Sequence, residues 1–258
     1  MIKRYPLKVT NTLRNNLSTA LLLLVAQLFT PATATETVSD TIQATPAHRL
    51  SPYSAEYNST INGITAKLKQ TLATSDQQHW QLRSEASALF ITITEQAQFN
   101  TQANTVTPIS YRYKNPINSK RSMHLLFDAK GDSVNNTANS EPAFNIPSGA
   151  LDKISFQSQL RLDLMNDPNF SQKNYNLVDA KKIKTYTVTK IKEENISTPA
   201  GTFNAVRFEQ RRKGREDYSI IWLAKEHEYF LLRIERIEDG ETEFKIELVS
   251  AKIEGKAI

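Results

Sequence analysis

The chain has 258 residues, with 32 Lys and Arg against 27 Asp and Glu, and it contains no cysteine. The missing cysteines exclude stabilising disulfides and a cysteine-anchored lipoprotein. Residues 1–34 hold four basic residues and no acidic ones, which leaves 28 bases against 27 acids in the other 224 residues. That remainder is large enough for one sizeable core, and its near-neutral charge argues against nucleic-acid binding, which requires a basic face.

Residues 1–34 have the features of a secretory signal peptide. An apolar run over 17–29 follows a basic start, and Ala32-Thr33-Ala34 supplies the small residues for cleavage near Ala34. The basic residues are Lys3, Arg4, Lys8 and Arg14. A retained anchor is the alternative, but the run is shorter than the ~20 residues that a spanning helix needs. The sequence therefore predicts export, and the mature chain is not expected to span a membrane.

Residues 35–51 are rich in Thr, Ser, Ala and Pro and are predicted to be a disordered lead-in. From residue 52 onwards, apolar and polar residues alternate as they do in β-strands. Asn62-Gly63 is a strong hairpin signal between two such segments. The predicted strands in this half cover 53–61, 64–73, 79–83, 89–94, 108–114 and 123–127, and a polar loop is predicted over 133–140.

The period of the apolar residues becomes helical between Ser148 and Met165. The positions that show it are Leu151, Ile154, Leu162 and Met165. Ser148 is the predicted N-cap and Asp167-Pro168 the predicted stop, which places one amphipathic helix near 148–166. We expect this helix to cover an open mouth or face of a curved sheet.

The last third of the chain predicts a run of antiparallel strands joined by tight turns. The predicted strands cover 183–191, 203–210, 218–224, 229–237 and 243–253. Turn signals separate them, among them Thr198-Pro199-Ala200-Gly201 and Asp239-Gly240. The fold class is therefore mainly β, with one antiparallel domain over 52–258. A membrane-spanning barrel is an alternative, but charged residues on both faces of 243–253 argue against it.

Several short motifs occur in a recognisable order. Pro108-Ile109-Ser110-Tyr111-Arg112-Tyr113 is followed by Thr198-Pro199-Ala200-Gly201-Thr202-Phe203 and then by Trp222-Leu223-Ala224. Over about residues 50–253, this order resembles the bacterial envelope family called domain of unknown function 3108. The resemblance implies a Gram-negative periplasmic protein with a single, strongly curved antiparallel sheet, a half-barrel similar in shape to lipoprotein carriers. It implies no activity and no catalytic residues.

Aromatic side chains are the candidates for a ligand groove on the inner surface of such a sheet. They are Trp80, Phe90, Phe127, Tyr186, Phe203, Trp222 and Tyr229. If the helix fills the hollow only in part, these residues would line an apolar groove for a lipid or another apolar envelope ligand. The alternative is that they form the core.

A basic turn is the candidate for contact with anionic groups. It consists of Arg211, Arg212, Lys213 and Arg215. Arginine suits phosphate oxygens, so this turn could contact lipid headgroups. The alternative is a solvated hairpin end that Glu216 and Asp217 neutralise.

The sequence predicts no catalytic residue, cofactor or metal site. The four histidines lack the spacing of metal ligands, and the chain has no Gly-x-Ser-x-Gly motif and no glycine-rich phosphate loop. Three functions therefore stay open. The first is a non-enzymatic carrier of an apolar ligand, the second is an assembly factor that binds another envelope protein, and the third is a hydrolase of an envelope polymer.

Overall fold

The computed structural model describes residues 48–61, 64–138, 142–212 and 214–258. The predicted signal peptide, most of the predicted lead-in, Asn62-Gly63 and Lys213 lie outside these residues. The last residues of the lead-in are packed against the domain: Leu50 is buried in the core, and the backbone N–H of His48 donates to Asn166 Oδ1 at 2.9 Å.

Fifteen strands of the described chain form one antiparallel sheet. They are β1 (Tyr53–Ile61), β2 (Ile64–Thr74), β3 (His79–Ala88), β4 (Ile91–Gln102), β5 (Thr105–Lys114), β6 (Met123–Phe127), β7 (Ser133–Asn136), β8 (Phe144–Asn145), β9 (Gln172–Asp179), β10 (Lys182–Thr198), β11 (Gly201–Arg211), β12 (Tyr218–Ala224), β13 (Phe230–Glu238), β14 (Glu241–Ile253) and β15 (Lys256–Ala257). Their order is β8-β7-β6-β5-β4-β3-β2-β1-β14-β13-β12-β11-β10-β9, and β15 pairs with β14. The pairing of β1 with β14 joins the two halves of the chain, whereas β8 and β9 are the two ends of the sheet.

Alternation along the strands gives the sheet an apolar inner face. In β3, for example, Trp80 and Leu82 are buried, whereas Gln81 and Arg83 are exposed. The predicted mainly β, antiparallel domain is confirmed. The pairing of β1 with β2 reaches Ile61 and Ile64, as expected for a hairpin at the intervening residues.

Three predicted segments need correction. The strand predicted over 89–94 begins at Ile91, because Leu89 and Phe90 form the two-residue turn between β3 and β4. The loop predicted over 133–140 contains β7, which pairs with β6. Tyr229, predicted to begin a strand, lies in the turn before β13 with a positive φ of 52°.

The only α-helix of the described residues, α1 (Ser155–Asn166), lies inside the curve of the sheet. The rings of Phe156 on α1 and Tyr175 on β9 lie 4.9 Å apart. On another side, Gln159 Oε1 accepts from the backbone N–H of Val106 on β5 at 2.7 Å. Strands from distant places in the sheet order thus contact one helix, so the sheet must curl around it. None of the described helices is long and apolar enough to cross a membrane.

The helix differs from its prediction in its start and in its burial. It begins at Ser155, not near Ser148, and Asp152 takes the capping role that was predicted for Ser148. Asp152 Oδ1 accepts the backbone N–H groups of Ile154 at 3.0 Å and Ser155 at 2.9 Å, which satisfies two donors at the start of the helix. Buried residues occur on every side of α1, so the helix fills the hollow as a plug and does not merely cover its mouth.

Candidate functional site

A cleft of about 130 Å³ remains between the start of α1 and the inner face of the sheet. Its apolar walls are formed by Leu68, Ile93, Leu231, Ile234, Phe244 and Ile246. Its polar groups are those of Gln70, Glu95 and Gln157. The wall residues come from both halves of the sheet, from β2 and β4 on one side and from β13 and β14 on the other.

Small side chains explain why the hollow is not filled here. Ser59, Ala66, Ser84 and Ala86 lie on the adjacent strands β1, β2 and β3 and line the cleft. None of them is long enough to fill the space above the sheet, and α1 begins only at Ser155. The cleft is therefore a consequence of small residues opposite the end of a helix.

A polar network separates the cleft from a second, smaller cavity. Gln70 accepts from the Tyr53 hydroxyl at 2.8 Å and donates to Ser84 Oγ at 2.9 Å and to Gln157 Oε1 at 3.1 Å. Gln70 and Gln157 line both spaces. The inner cavity has a volume of about 40 Å³ and includes Tyr229 in its wall. It is large enough for a few water molecules only.

Glu95 is the one carboxyl group in the wall of the cleft within the described residues. Burial raises the pKa of this carboxyl, and the positive charge of Lys153 offsets part of the rise. Lys153 in turn is held 3.4 Å from Asp179 Oδ1, and Lys184 binds the other oxygen of Asp179. Glu95 therefore gives an otherwise mostly apolar cleft one group that can accept or, when protonated, donate a hydrogen bond.

Three of the seven predicted aromatic residues lie in the packed core on the inner face. Trp80 donates from Nε1 to Thr101 Oγ1 at 2.9 Å, Phe127 packs in β6, and Tyr186 is fully buried opposite Tyr175. None of these three lines the cleft. Tyr229 is the only one of the seven at the inner cavity.

The other three predicted aromatic residues line neither the cleft nor the inner cavity. Phe90 is fully exposed in the β3–β4 turn. Trp222 lies between the guanidinium groups of Arg207 and Arg233, 5.4 and 5.5 Å from its ring, on the side of β12 opposite the cavity-lining Ile221. Phe203 shares the strand face of Arg207, and its ring contacts that of His227 at 5.9 Å. The prediction of an inner position is wrong for Phe90. Phe203 and Trp222 are buried and belong to the core cluster, which is the alternative that the sequence left open.

The basic turn is largely engaged by neighbouring acids. Arg211 Nε lies 2.7 Å from Glu209 Oε1, and Arg215 Nε lies 2.9 Å from Asp217 Oδ1. Arg212 is half-buried, and Lys213 is outside the described residues. Two of the four predicted cations thus already have carboxylate partners, and contact of this turn with an anionic ligand stays a prediction.

The described residues bring no metal-binding group together: no cluster of three or more His, Cys, Asp or Glu has suitable geometry. His79 bonds Asp76 at 2.6 Å, whereas His124 contacts the Thr137 hydroxyl at 2.9 Å in another part of the sheet. These histidines stabilise turns and strand pairs.

Sequence reasoning missed the residues that make the cleft, because it searched for large aromatic side chains. Alternation places Ser84 on the same strand face as Trp80 and Leu82, so its inward position was available from the sequence. A run of small inward residues beside a predicted hairpin would have been the signal for a vacancy. The polar contribution of Gln70 and Glu95 had no comparable signal, because it depends on what faces them across the hollow.

The fold defines a class of protein in which one open, curved antiparallel sheet encloses a single helix. The chain belongs to the family described as "Protein of unknown function (DUF3108)", whose model matches residues 52–249. This confirms the family that the sequence motifs resemble. No match to a curated protein was found.

Three solved structures of bacterial proteins match this chain with different degrees of similarity in shape. The β-barrel-like protein of the domain of unknown function DUF1849 from Brucella abortus is similar with a TM-score of 0.55 at 12% identity, over 80% of this chain and 99% of that chain. A candidate lipoprotein from Parabacteroides distasonis has a TM-score of 0.32 at 12% identity, over 79% of this chain and 96% of that chain. A candidate exported protein with a YmcC-like fold from Bacteroides fragilis has a TM-score of 0.33 at 12% identity, over 79% of this chain and 97% of that chain. At this identity, the Brucella protein shows the fold alone, and the other two are too distant in shape to support an inference.

Proposed function

We propose that this protein is a non-enzymatic binding or carrier protein for an apolar or amphiphilic ligand of the bacterial envelope. The observation that carries the proposal is the open, mostly apolar cleft of about 130 Å³ beside α1. An apolar cavity of about 150 Å³ binds benzene in another protein, so a space of this size accepts a hydrocarbon fragment without rearrangement. A whole acyl chain would require α1 to shift away from the sheet.

The polar groups of the cleft favour an amphiphile over a pure hydrocarbon. Glu95, Gln70 and Ser84 lie in the wall, where a hydroxyl, amide or amine of a ligand could meet them. A hydrogen-bonding group fixes the orientation of a ligand, whereas the apolar walls supply most of the affinity. The ligand class is therefore a lipid or lipid-like molecule with a neutral or cationic polar end.

The compartment proposed for this activity is the periplasm. The support is the signal-peptide pattern of residues 1–34, which predicts export and cleavage near Ala34. The absence of cysteine means that neither a disulfide nor a cysteine-linked lipid anchor is part of the proposal.

The test begins with residues 35–258 purified from the native host. We expect solvent extraction and mass spectrometry to recover a stoichiometric lipid, and the emptied protein to bind a fluorescent fatty acid such as cis-parinaric acid. Ala86→Phe fills the cleft and should weaken that binding by about tenfold or more, because the variant side chain takes the place of ligand atoms. Ala73→Phe is the matched control, since Ala73 lies exposed on β2 outside the cleft.

Absence of both a native lipid and probe binding would overturn the proposal. Equal binding by Ala86→Phe and the parent protein would show that the probe binds elsewhere, which would also remove the cleft as the site.

The hydrolase alternative depends on Glu95, since a carboxyl group with a raised pKa in an apolar cleft could serve as a general acid. Glu95→Gln distinguishes the two functions. If the protein is a carrier, the variant should still bind lipid and lose only its selectivity for the polar end of the ligand. If the protein is a hydrolase, the variant should accumulate uncleaved ligand in the cleft.

A further inference from the structure

The turn between β3 and β4 presents two large apolar side chains to solvent. Leu89 is 89% exposed and Phe90 is 103% exposed, and they are the two residues of the hairpin loop. Neither contributes to the core, so their apolar character is not explained by the stability of the domain. We call Leu89 and Phe90 the apolar tip.

The backbone of the apolar tip also disfavours these residues. Leu89 has φ of 53°, in the left-handed region that Gly and Asn adopt easily and Leu does not. A two-residue loop with Asn in this position would be both more soluble and less strained. A sequence that departs from local preference at an exposed place indicates a functional requirement there.

The neighbouring connection adds further apolar and basic side chains. Thr94 pairs with Lys114, so the apolar tip and the β5–β6 connection extend from the same end of adjacent strands. Ile117 in this connection is 46% exposed, and the nearby Lys114 and Lys120 are exposed cations. Arg121 follows in the same connection, and neither 86–94 nor 113–124 contains an Asp or Glu. This surface is apolar at its tip, and the β5–β6 connection beside it is cationic. The carboxylate in the same row as Lys114 is Glu85, which is paired with Arg83.

The cleft lies just behind this surface. Ala86 and Ile93, which line the cleft, form a strand pair three residues from Leu89 and Phe90, or about 10 Å along a strand. The acidic β13–β14 turn, with Glu238 and Asp239, lies at the same end of the sheet. The β1–β2 hairpin separates it from β3 and β4 in the strand order. This acidic turn therefore lies to one side of the apolar tip.

We propose that the apolar tip, with Ile117, Lys114, Lys120 and Arg121 beside it, docks on an anionic lipid membrane. Leu89 and Phe90 enter the apolar boundary of the bilayer, and the cations contact the headgroup phosphates. An exposed apolar group beside a group of basic residues matches the surface of an anionic bilayer, which has negative headgroups above an apolar interior. The proposal does not depend on the ligand in the cleft, because it concerns the outside of the sheet.

The test measures binding of residues 35–258 to vesicles. We expect sedimentation with vesicles of phosphatidylcholine containing about 30% phosphatidylglycerol, and weaker binding to pure phosphatidylcholine, because anionic headgroups attract nearby Lys and Arg. Leu89→Asn/Phe90→Ser should reduce binding by about tenfold or more, since it removes the inserted apolar side chains. Leu89→Asn suits the left-handed backbone, so this variant should fold at least as well as the parent protein.

Two further variants complete the experiment. Ile191→Ser removes an apolar side chain that is 49% exposed elsewhere on the sheet and should leave vesicle binding unchanged. Phe90→Trp places a reporter at the tip, and its emission should shift to shorter wavelength on anionic vesicles.

Failure of the parent protein to bind either vesicle would overturn the proposal. Equal losses of vesicle binding in Ile191→Ser and in Leu89→Asn/Phe90→Ser would also overturn it. A tip-dependent dimer that forms without vesicles would assign the surface to a second copy of this chain instead. If Ala86→Phe loses cis-parinaric acid binding but still binds vesicles, membrane docking by the apolar tip is independent of ligand binding in the cleft.

Discussion

Replacement of Arg161 by Met should loosen α1 from the sheet. Arg161 lies on α1 with its side chain only 7% exposed, and its Nη2 is 2.8 Å from Glu228 Oε2. Its Nε donates to the backbone carbonyl of Glu228 at 3.0 Å, and its guanidinium lies 5.3 Å from the ring of Tyr53 and 5.6 Å from that of Phe230. Met keeps the length of the aliphatic stem but removes all of these interactions.

The expected cost follows from the burial of the two partners. Removal of one partner from a buried ion pair costs about 3–5 kcal/mol, because the other charge is left unpaired. The Glu228 side chain is 28% exposed, so water can hydrate part of the released carboxylate. We therefore expect the free energy of unfolding to fall by about 2–4 kcal/mol. For a domain of this size, the midpoint of thermal unfolding should fall by roughly 5–12 °C.

Urea unfolding followed by tryptophan fluorescence measures this change, with the slope against urea checked for constancy. Arg83→Met is the matched control, because Arg83 pairs with Glu85 on the exposed face of β3. An exposed pair contributes about 0–1 kcal/mol, so this variant should unfold almost as the parent protein does. Equal effects of Arg161→Met and Arg83→Met would refute the view that α1 is held by a buried ion pair.

The remaining predictions concern buried polar groups around α1. Burial raises the pKa of Asp152 to about 6, and its Oδ2 is buried without a hydrogen-bond partner in the described chain. The folded state therefore holds a proton that the unfolded state releases, so this group lowers stability as pH rises from about 4 to about 6. Asp152→Asn keeps a good helix cap, and its free energy of unfolding should fall less between about pH 4 and pH 6 than that of the parent protein. Urea titrations at several pH values measure this difference. An unchanged pH dependence would contradict the raised pKa of Asp152. Gln70→Leu leaves the Tyr53 hydroxyl and the Gln157 side chain without their shared partner and should cost about 1–3 kcal/mol in the same assay; a more stable variant would show that the network is dispensable.

Local patterns were sufficient to predict most of the strands. Alternation in β3 and the Asp239-Gly240 turn both depend on neighbouring residues only, and both are found as expected. The same reasoning failed at Leu89 and Phe90, which look like strand residues but form a turn. Leu89 and Phe90 lie in the turn because Ala88 pairs with Ile91. This register holds along the whole β3–β4 hairpin and overrides the preference of the two residues for a strand.

The helix shows where local reasoning ends. Its existence and its stop at Asp167 were predicted from spacing and from Pro168, because these depend on the backbone nearby. Its start was misplaced, since Ser148 and Asp152 are both acceptable caps by residue type. The choice of Asp152 accompanies the pairing of Leu151 with Leu177 on β9, a contact between distant parts of the chain.

The sequence by itself determined a mainly β domain with one helix and the family to which the chain belongs, because periodicity, turn residues and short motifs are properties of neighbouring positions. The tertiary structure alone decided that Trp222 is buried between two arginines and that a cleft opens over Ala66 and Ala86. Alternation defines which residues share a face of a strand. Only the curl of the sheet around α1 decides which face is enclosed and where the enclosed space is left unfilled.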